Sequence, residues 1–414
     1  MLVLTIQVVA AWLILAVVLL LAFHRRVIAS LWREPVLVHP VVIVESDDWG
    51  VGPPEDALVL AKIADLLGSV RDETGHPLVM TIGVVLGFPD GAHILKTGCT
   101  EYRRMTLDEP RFAPIVDALR AGCDAGVYAL QWHGLEHCWP ASLLARARRD
   151  IGLMAWLADP GARSETLPSE LQSRWVDAAE LPSRRLARTD IESAVCEEAA
   201  LLRRIFGHVP NVAVPNTFVW TDDVEYAWAA AGVRCIVTAG RRCEGRDERG
   251  VLLAPSRRVR NGERTASGAL QVVRDDYFEP ARGHRAERAW DAVTRKSALG
   301  RPALLETHRE NFIASPEVAA DSLAEFERAV RGLRARFPDI RFMPTAELAA
   351  HLGDGRSPLR EGRLLRRLHI FLRRLQFEPA LMRFLKFSGL GLPLRCAVSI
   401  ARSVKLGRSA VLSR

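Results

Sequence analysis

The chain alternates between two patterns of apolar positions. Short apolar or β-branched runs are separated by longer segments in which apolar residues recur every three or four positions. This alternation is typical of repeated βα units, which build a parallel sheet covered by helices. The runs predict strands at residues 36–45, 78–85, 127–132, 211–215, 233–238, 269–274, 303–306 and 340–343.

Helices are predicted between these strands, at residues 54–67, 109–121, 140–157, 189–206, 222–231, 286–297, 316–336 and 345–351. Eight strands suffice to close a barrel, and an incomplete seven-stranded barrel fits equally well. We therefore predict an α/β fold, a distorted (β/α) barrel of seven or eight units, over residues 34–353. The long connections at 86–108 and 159–188 are expected at its rim as lids or substrate walls.

The N-terminal segment is predicted to anchor the chain in a membrane. Residues 2–23 contain no charged side chain and, as a helix, would span the hydrocarbon layer, which predicts a transmembrane anchor over residues 1–26. A cleaved signal peptide fits less well, because no basic residue precedes the run and no small-x-small site follows it. Arg25, Arg26 and Arg33 follow the run, so the positive-inside rule favours a cytoplasmic barrel. Seven widely spaced cysteines without a CxxC pair agree with a reducing compartment.

Charge is concentrated at the C-terminal end. Residues 356–414 contain fourteen Arg/Lys and two Glu, a net +12, which leaves −5 on residues 1–355 out of the total of +7. Within residues 364–385 apolar residues recur at helical spacing among arginines, which predicts a basic amphipathic helical tail over residues 354–414. Such a helix lies on an anionic membrane surface or packs on the barrel. A nucleic-acid partner is not expected, since no stacking pattern or reader motif accompanies the charge.

Polar residues with metal-binding chemistry follow the predicted strands. Asp47 and Asp48 come after the first strand, where two adjacent carboxylates are costly to bury without a cation, although a solvated turn or helix cap is the alternative. His133 and His137 follow the third strand and, four apart, would project from one face of a helical turn. Two histidines and one carboxylate form a common transition-metal site. His308 ends another strand, as a further site residue or a structural histidine.

Three short sequences resemble, in this order along the chain, the first, second and fifth motifs of the polysaccharide deacetylase family. They are Asp47-Asp48, His133-x-x-x-His137 and the Leu-x-x-His sequence ending at His308. The resemblance covers residues 36–343. It implies a distorted (β/α)7 barrel with Asp47 as general base, Asp48, His133 and His137 as ligands of a divalent metal, zinc above all, and His308 as general acid. The implied activity is hydrolysis of N- or O-linked acetyl groups on a sugar, here on a membrane-proximal or lipid-linked glycan or an exported polysaccharide.

The chain departs from the family pattern at two motifs. The third motif, Arg-x-Pro-Tyr, corresponds to residues 213–216, which keep only the proline, so the base lacks its Arg partner unless Arg274 or Arg309 substitutes. The fourth motif, an Asp-Trp pair, is met only loosely by residues 275–277. Residues expected to contact the substrate are Trp49, Pro215, Asn216 and Arg309.

Two other functions fit the same residues. A glycoside hydrolase would use Asp47 as nucleophile and Glu136 or Glu306 as the acid. A catalytically silent barrel would bind carbohydrate as a membrane-bound scaffold, which the eroded third motif makes plausible.

Overall fold

A curled sheet of parallel strands forms the centre of the protein, for which the computed structural model describes residues 2–391. Residues 392–414, with Cys396 and the end of the predicted tail, lie outside the described residues. Within the described part, the main sheet consists of β1 (Val41–Gly50), β2 (Met80–Val85), β3 (Tyr128–Trp132), β4 (Val212–Ala213), β5 (Cys235–Thr238), β6 (Leu270–Val273), β7 (Asp276–Tyr277), β8 (Ala303–His308) and β9 (Arg341–Phe342).

The strands are ordered β6-β5-β4-β3-β2-β1-β8-β7, and β9 pairs with β1. The pairs are parallel, and among the described residues the end strands β6 and β7 are not paired with each other. The predicted α/β fold with a distorted barrel is thus confirmed, as a half-barrel that stays open. Each of the eight strands expected from the sequence has a counterpart, and β7 is additional.

Helices cover the sheet on one face and fill the curl on the other. Leu60 and Ile63 belong to a core that also contains outward side chains of the strands, whereas Val41 and Ile43 pack with Leu348 on the other face. The helices are α1 (Leu2–Arg33), α2 (Asp56–Ser69), α3 (Gly91–Lys96), α4 (Ala113–Asp124), α5 (Pro140–Ala147), α6 (Ile151–Ala158), α7 (Arg188–Phe206), α8 (Asp222–Ala230), α9 (Ala286–Ala298), α10 (Glu310–Ile313), α11 (Pro316–Arg336), α12 (Thr345–Gly353), α13 (Leu364–Leu375) and α14 (Pro379–Phe387).

Two elements differ from their predicted bounds. β1 begins five residues later than expected, since Val38 is paired through its N–H to Leu359 instead, and it continues through Gly50. Asp47 and Asp48 therefore lie inside the strand and not in the loop after it. The helix expected at 140–157 is two helices, because Asp150 caps α6 by accepting a hydrogen bond from the N–H of Leu153 at 3.1 Å.

The long connections fold into small elements. Strands Gly87–Pro89 and Arg104–Thr106 form one antiparallel pair, and strands Val176–Asp177 and Arg184–Arg185 form another. At the N-terminus, α1 is long and apolar enough to cross a membrane, and most of its side chains are exposed.

The close packing at the end of β1 predicts that two glycines differ sharply in how much a substitution by alanine destabilises the protein. Gly50 has φ +150°, and a Cβ there would lie 1.9 Å from the carbonyl oxygen of Val85, so Gly50→Ala is expected to lower the free energy of unfolding by about 3 kcal/mol. Gly126 also has positive φ, +70°, but nothing lies within 4 Å, so Gly126→Ala should cost only about 1 kcal/mol. Urea unfolding measures both. Equal losses would contradict the close approach of β1 to β2.

Candidate metal centre

Three side chains from different parts of the chain converge at the carboxyl end of the sheet. Oδ1 of Asp48 lies 3.1 Å from Nε2 of His133 and 3.0 Å from Nε2 of His137, and the two Nε2 atoms are 3.2 Å apart. All three side chains are buried. Burial alone would raise the pKa of Asp48, but the two imidazoles hold it well below its usual range, so the carboxylate is anionic. One carboxylate oxygen and two imidazole nitrogens could hold a single transition-metal ion.

Local backbone irregularities bring these residues together. The pairing of β1 with β2 shifts register between Ser46 and Trp49, and Asp48 has φ +73°, so its side chain turns out of the strand alternation. His133 directly follows β3. The helical turn expected from the four-residue spacing is wrong, because residues 133–138 form an irregular loop in which Gly134 has φ +96°.

Hydrogen bonds orient the first histidine for ligation. Nδ1 of His133 lies 3.1 Å from the carbonyl oxygen of Val214, which can only accept, so Nδ1 carries a proton and Nε2 is the nitrogen directed at Asp48 that could bind a metal. Nδ2 of Asn216 donates to the carbonyl oxygen of His133 at 2.7 Å. Asn216 is fully buried, so it positions the loop from behind and, contrary to the sequence-based expectation, does not face the substrate cavity.

Asp47 is held by a buried arginine. Arg274, which follows β6, donates to Oδ2 of Asp47 at 2.6 Å and to Glu45 at 3.0 Å, and its Nε lies 3.2 Å from Glu306. Burial raises the pKa of Asp47, but the charges of Arg274 and His133 outweigh it and lower the pKa below its usual value. Oδ1 of Asp47 is buried and has no hydrogen-bond partner among the described residues. Of the two arginines considered from the sequence, Arg274 and not Arg309 is thus the partner of Asp47.

His308 lies beside Asp47, since the two residues are register partners in β1 and β8. Its Nδ1 is 2.5 Å from Glu279, and its Nε2 is 3.8 Å from Glu306. Burial would lower the pKa of His308, but the hydrogen bond to Glu279 and the carboxylates of Asp48 and Asp47 raise it to about 10. The imidazole is therefore charged at neutral pH.

Glu279 was not found from the sequence. The two acidic fourth-motif candidates lie elsewhere: Asp275 pairs with Lys296, and Asp276 pairs with Arg295 and Lys296. The sequence signal for Glu279 was weak, namely an acidic residue shortly after a strand end. The side-chain amide of Asn311 donates a hydrogen bond to Glu279 and fixes the position of the Glu279 carboxylate.

These groups share one cavity of about 300 Å³. Tyr277 lines it, and so does Pro215, which was expected to contact the substrate. Trp49 was expected to contact the substrate, but its side chain is fully buried, donates to Ser46 at 2.8 Å and stacks on Phe312. Trp49 therefore has no free face for a sugar. The site residues that line the cavity are Asp47, Asp48, His133, His137, Arg274, Glu306 and His308.

Arg309, which was expected to contact the substrate, is buried and makes a bidentate pair with Glu165 at 2.9 and 3.0 Å, and Glu165 lines the 300 Å³ cavity. On its other side Arg309 lines a larger cavity of about 740 Å³, together with Phe88 and Trp156. Both long connections contribute to that cavity, which agrees with their expected position at the rim.

The carboxylate geometry does not favour glycoside cleavage. Glu136 is buried and pairs with Arg174 at 2.6 Å and with Arg104, away from the catalytic cavity. Donor atoms of Asp47, Glu306 and His308 lie within 4.8 Å of one another, closer than the separation of about 5–9.5 Å that places two carboxylates on either side of a sugar.

Solved structures resemble the chain distantly. A 4-α-glucanotransferase from Thermococcus litoralis aligns with 75% of this chain and 40% of its own, at 10% identity and a TM-score of 0.38. A family 4 carbohydrate esterase from Streptomyces lividans aligns with 74% of this chain and 93% of its own, at 11% identity and a TM-score of 0.34. A protein described as a polysaccharide deacetylase from Mycobacterium smegmatis aligns with 80% of this chain and 99% of its own, at 10% identity and a TM-score of 0.38. No protein-family model and no curated protein matches the sequence. Several matching structures are thus deacetylases, but likenesses this remote assign no activity.

The contact between Glu279 and His308 predicts how the histidine titrates. In metal-free protein the His308 imidazolium should persist at neutral pH and lose its proton only as the pH rises through about 10. Glu279→Gln removes the negative partner and should lower this pKa by about one to three pH units. NMR of labelled histidine measures it, with Asp275→Asn as the control that leaves it unchanged. A neutral His308 at pH 7 in the parent protein would contradict the assignment.

Proposed function

We propose that the protein is a zinc-dependent hydrolase that removes N- or O-linked acetyl groups from a sugar. The observation that carries the proposal is the meeting of Asp48, His133 and His137 within 3.2 Å in the cavity that also contains Asp47 and His308. A metal-ligating set, an ionised carboxylate and a charged imidazole are the groups that hydrolysis of an amide or ester requires.

The donor set fits Zn²⁺, which accepts imidazole nitrogen and carboxylate oxygen. Asp48, His133 and His137 would hold the ion, leaving positions for water and substrate. Bound zinc supplies a Lewis acid, which polarises a carbonyl oxygen and lowers the pKa of a coordinated water to about 7.

Asp47 acts as general base in this proposal. Arg274 binds Oδ2, which keeps the carboxylate ionised and fixed, and Oδ1 stays available to accept the proton of the attacking water. The adjacent Gly83 is needed for this placement, because a Cβ there would lie 2.4 Å from Oδ1 of Asp47.

His308 acts as general acid. Glu279 binds Nδ1, so the proton on Nε2 is the one that the leaving amine or alcohol can receive. The raised pKa of about 10 keeps this proton in place at neutral pH.

We also propose the setting of the reaction. The chain divides into an anchor at residues 1–26, a barrel at 34–353 and a tail at 354–414, and the basic residues after the anchor favour the cytoplasmic side. Membrane-proximal or lipid-linked glycans and exported polysaccharides are the candidate substrates. The 740 Å³ cavity beside Arg309, with the aromatic rings of Phe88 and Trp156, supports binding of further sugar units next to the acetylated one.

Loss of a ligand should remove both metal and activity. Asp48→Ala and His133→Ala are expected to abolish bound zinc and the release of acetate from acetylated glycans, whereas Asp47→Asn should keep zinc and lose about 10²–10⁴-fold in kcat. Metal analysis and acetate release measure these effects, and His208→Ala, an exposed histidine, is the control. Unchanged zinc content and acetate release in Asp48→Ala would refute the proposal.

The larger cavity predicts dependence on substrate length. Trp156→Ala should raise KM about fivefold for acetylated oligosaccharides and leave KM for the acetylated monosaccharide unchanged, because only the longer substrate reaches the ring. Tyr226→Ala, at an exposed aromatic residue on α8, is the control. An equal effect on both substrates would contradict the role of this cavity.

A further inference from the structure

The C-terminal helices α13 and α14 expose large apolar side chains. Leu365 is 70% exposed and Phe387 is 82% exposed, although burying such side chains is worth about 1.5–3 kcal/mol each. The exposed leucines of α13 lie on the same face of the helix as the apolar side chains that pack against α1. The large apolar residues exposed on or beside these helices are Leu364, Leu365, Leu368, Phe377 and Phe387.

The same helices pack along α1. Leu375, Leu381 and Leu385 cluster with Leu31 of α1, and the rings of Phe384 and His24 lie 5.5 Å apart. Further along, the indole of Trp12 donates to the carbonyl oxygen of Ser388 at 3.0 Å.

Trp12 lies in the middle of the uncharged run of α1, residues 2–23. The end of α14 therefore reaches the part of α1 that is apolar enough to enter a membrane. The exposed Phe387 directly precedes Ser388, so α14 presents an apolar side chain beside the apolar run of α1.

Charge on these helices has one sign. Residues 363–391 contain seven basic residues and one acidic residue, Glu378. Arg383 and Lys386 are exposed on α14, close in sequence to the exposed Phe387. The exposed basic side chains and the exposed aromatic ring of α14 are complementary to anionic headgroups over acyl chains.

A buried arginine fixes α13 to the barrel. Arg374 donates to the carbonyl oxygens of Glu34, Pro35 and Leu299, each at 2.8 Å. Glu34 and Pro35 follow α1, and Leu299 precedes β8, so α1, α13 and this end of the sheet are held together.

We propose that α13 and α14 bind the surface of a bilayer that contains anionic lipids, beside α1, and give the barrel a second membrane contact. This contact lies at the amino ends of the strands, since Leu37 before β1 is bonded to Gly300 before β8 at 2.9 Å. The six residues of β8 separate it from His308 by about 20 Å.

The catalytic cavity then opens on the side away from the bilayer. This inference rests on the proposed function. It favours, among the candidate substrates, a glycan that extends into water over a sugar held at the headgroups.

Depth-dependent quenching tests the contact without using activity. The full chain, with Cys123, Cys196 and Cys396 replaced by serine, is labelled with a fluorophore at Leu365→Cys, Phe387→Cys or Val251→Cys. Val251 is exposed in the loop next to Leu252, which lines the catalytic cavity, and serves as the matched control. The protein is placed in vesicles of phosphatidylcholine and phosphatidylglycerol.

Brominated lipids should quench the labels at 365 and 387, and iodide in water should quench only the label at 251. Arg383→Gln with Lys386→Gln should weaken the docking of α14 on anionic vesicles about fivefold per charge, measured as the loss of lipid quenching at 387. Iodide quenching at 365 and 387 without lipid quenching would overturn the proposal, because the two positions would then lie in water. Because hydrolysis is not measured, this failure is distinct from failure of the proposed activity.

Discussion

The ion pairs of Arg274 with three buried carboxylates are the constraint on which the candidate site depends. One guanidinium lies between Glu45, Asp47 and Glu306, so one positive charge faces three acidic groups that are removed from water. Burial raises the pKa of Glu306 to about 7 against the opposing charge of Arg274, whereas the pKa of Asp47 is lowered. The negative charge therefore stays on Asp47, which lies next to the candidate metal ligands, and Glu306 takes up the proton more readily.

Strand alternation places these charges together. In β1 the side chains of Val41 and Ile43 face the same side as Glu45 and Asp47, because successive residues of a strand alternate between faces. β8 repeats the arrangement with Leu304 below Glu306 and His308. Each strand is thus apolar at its amino end and charged at its carboxyl end, which confines polar chemistry to one end of the curled sheet.

This pattern explains how much could be predicted from the sequence. The strands and most helices were predictable because their periodicity is local, and the candidate reactive groups could be proposed because they end apolar runs. The partner of Asp47 was narrowed to Arg274 or Arg309 but not chosen, since the choice depends on which strand ends meet. Glu279 was missed for the same reason. Trp49 was misjudged, because the sequence does not tell which face of β1 looks into the cavity.

Residues 213–216 contain no arginine, and contacts from several elements support the candidate site. Arg274 from the end of β6 holds Asp47, and Asn216 holds the backbone of His133. The loop that carries His137 is tied down through Glu136, which binds Arg104 and Arg174 from the two long connections. These connections therefore stabilise the candidate metal ligands from outside in addition to lining cavities. The candidate reactive groups are thus held by contacts from distant parts of the chain, a combination that short motifs cannot reveal and that requires the three-dimensional arrangement of the strand ends.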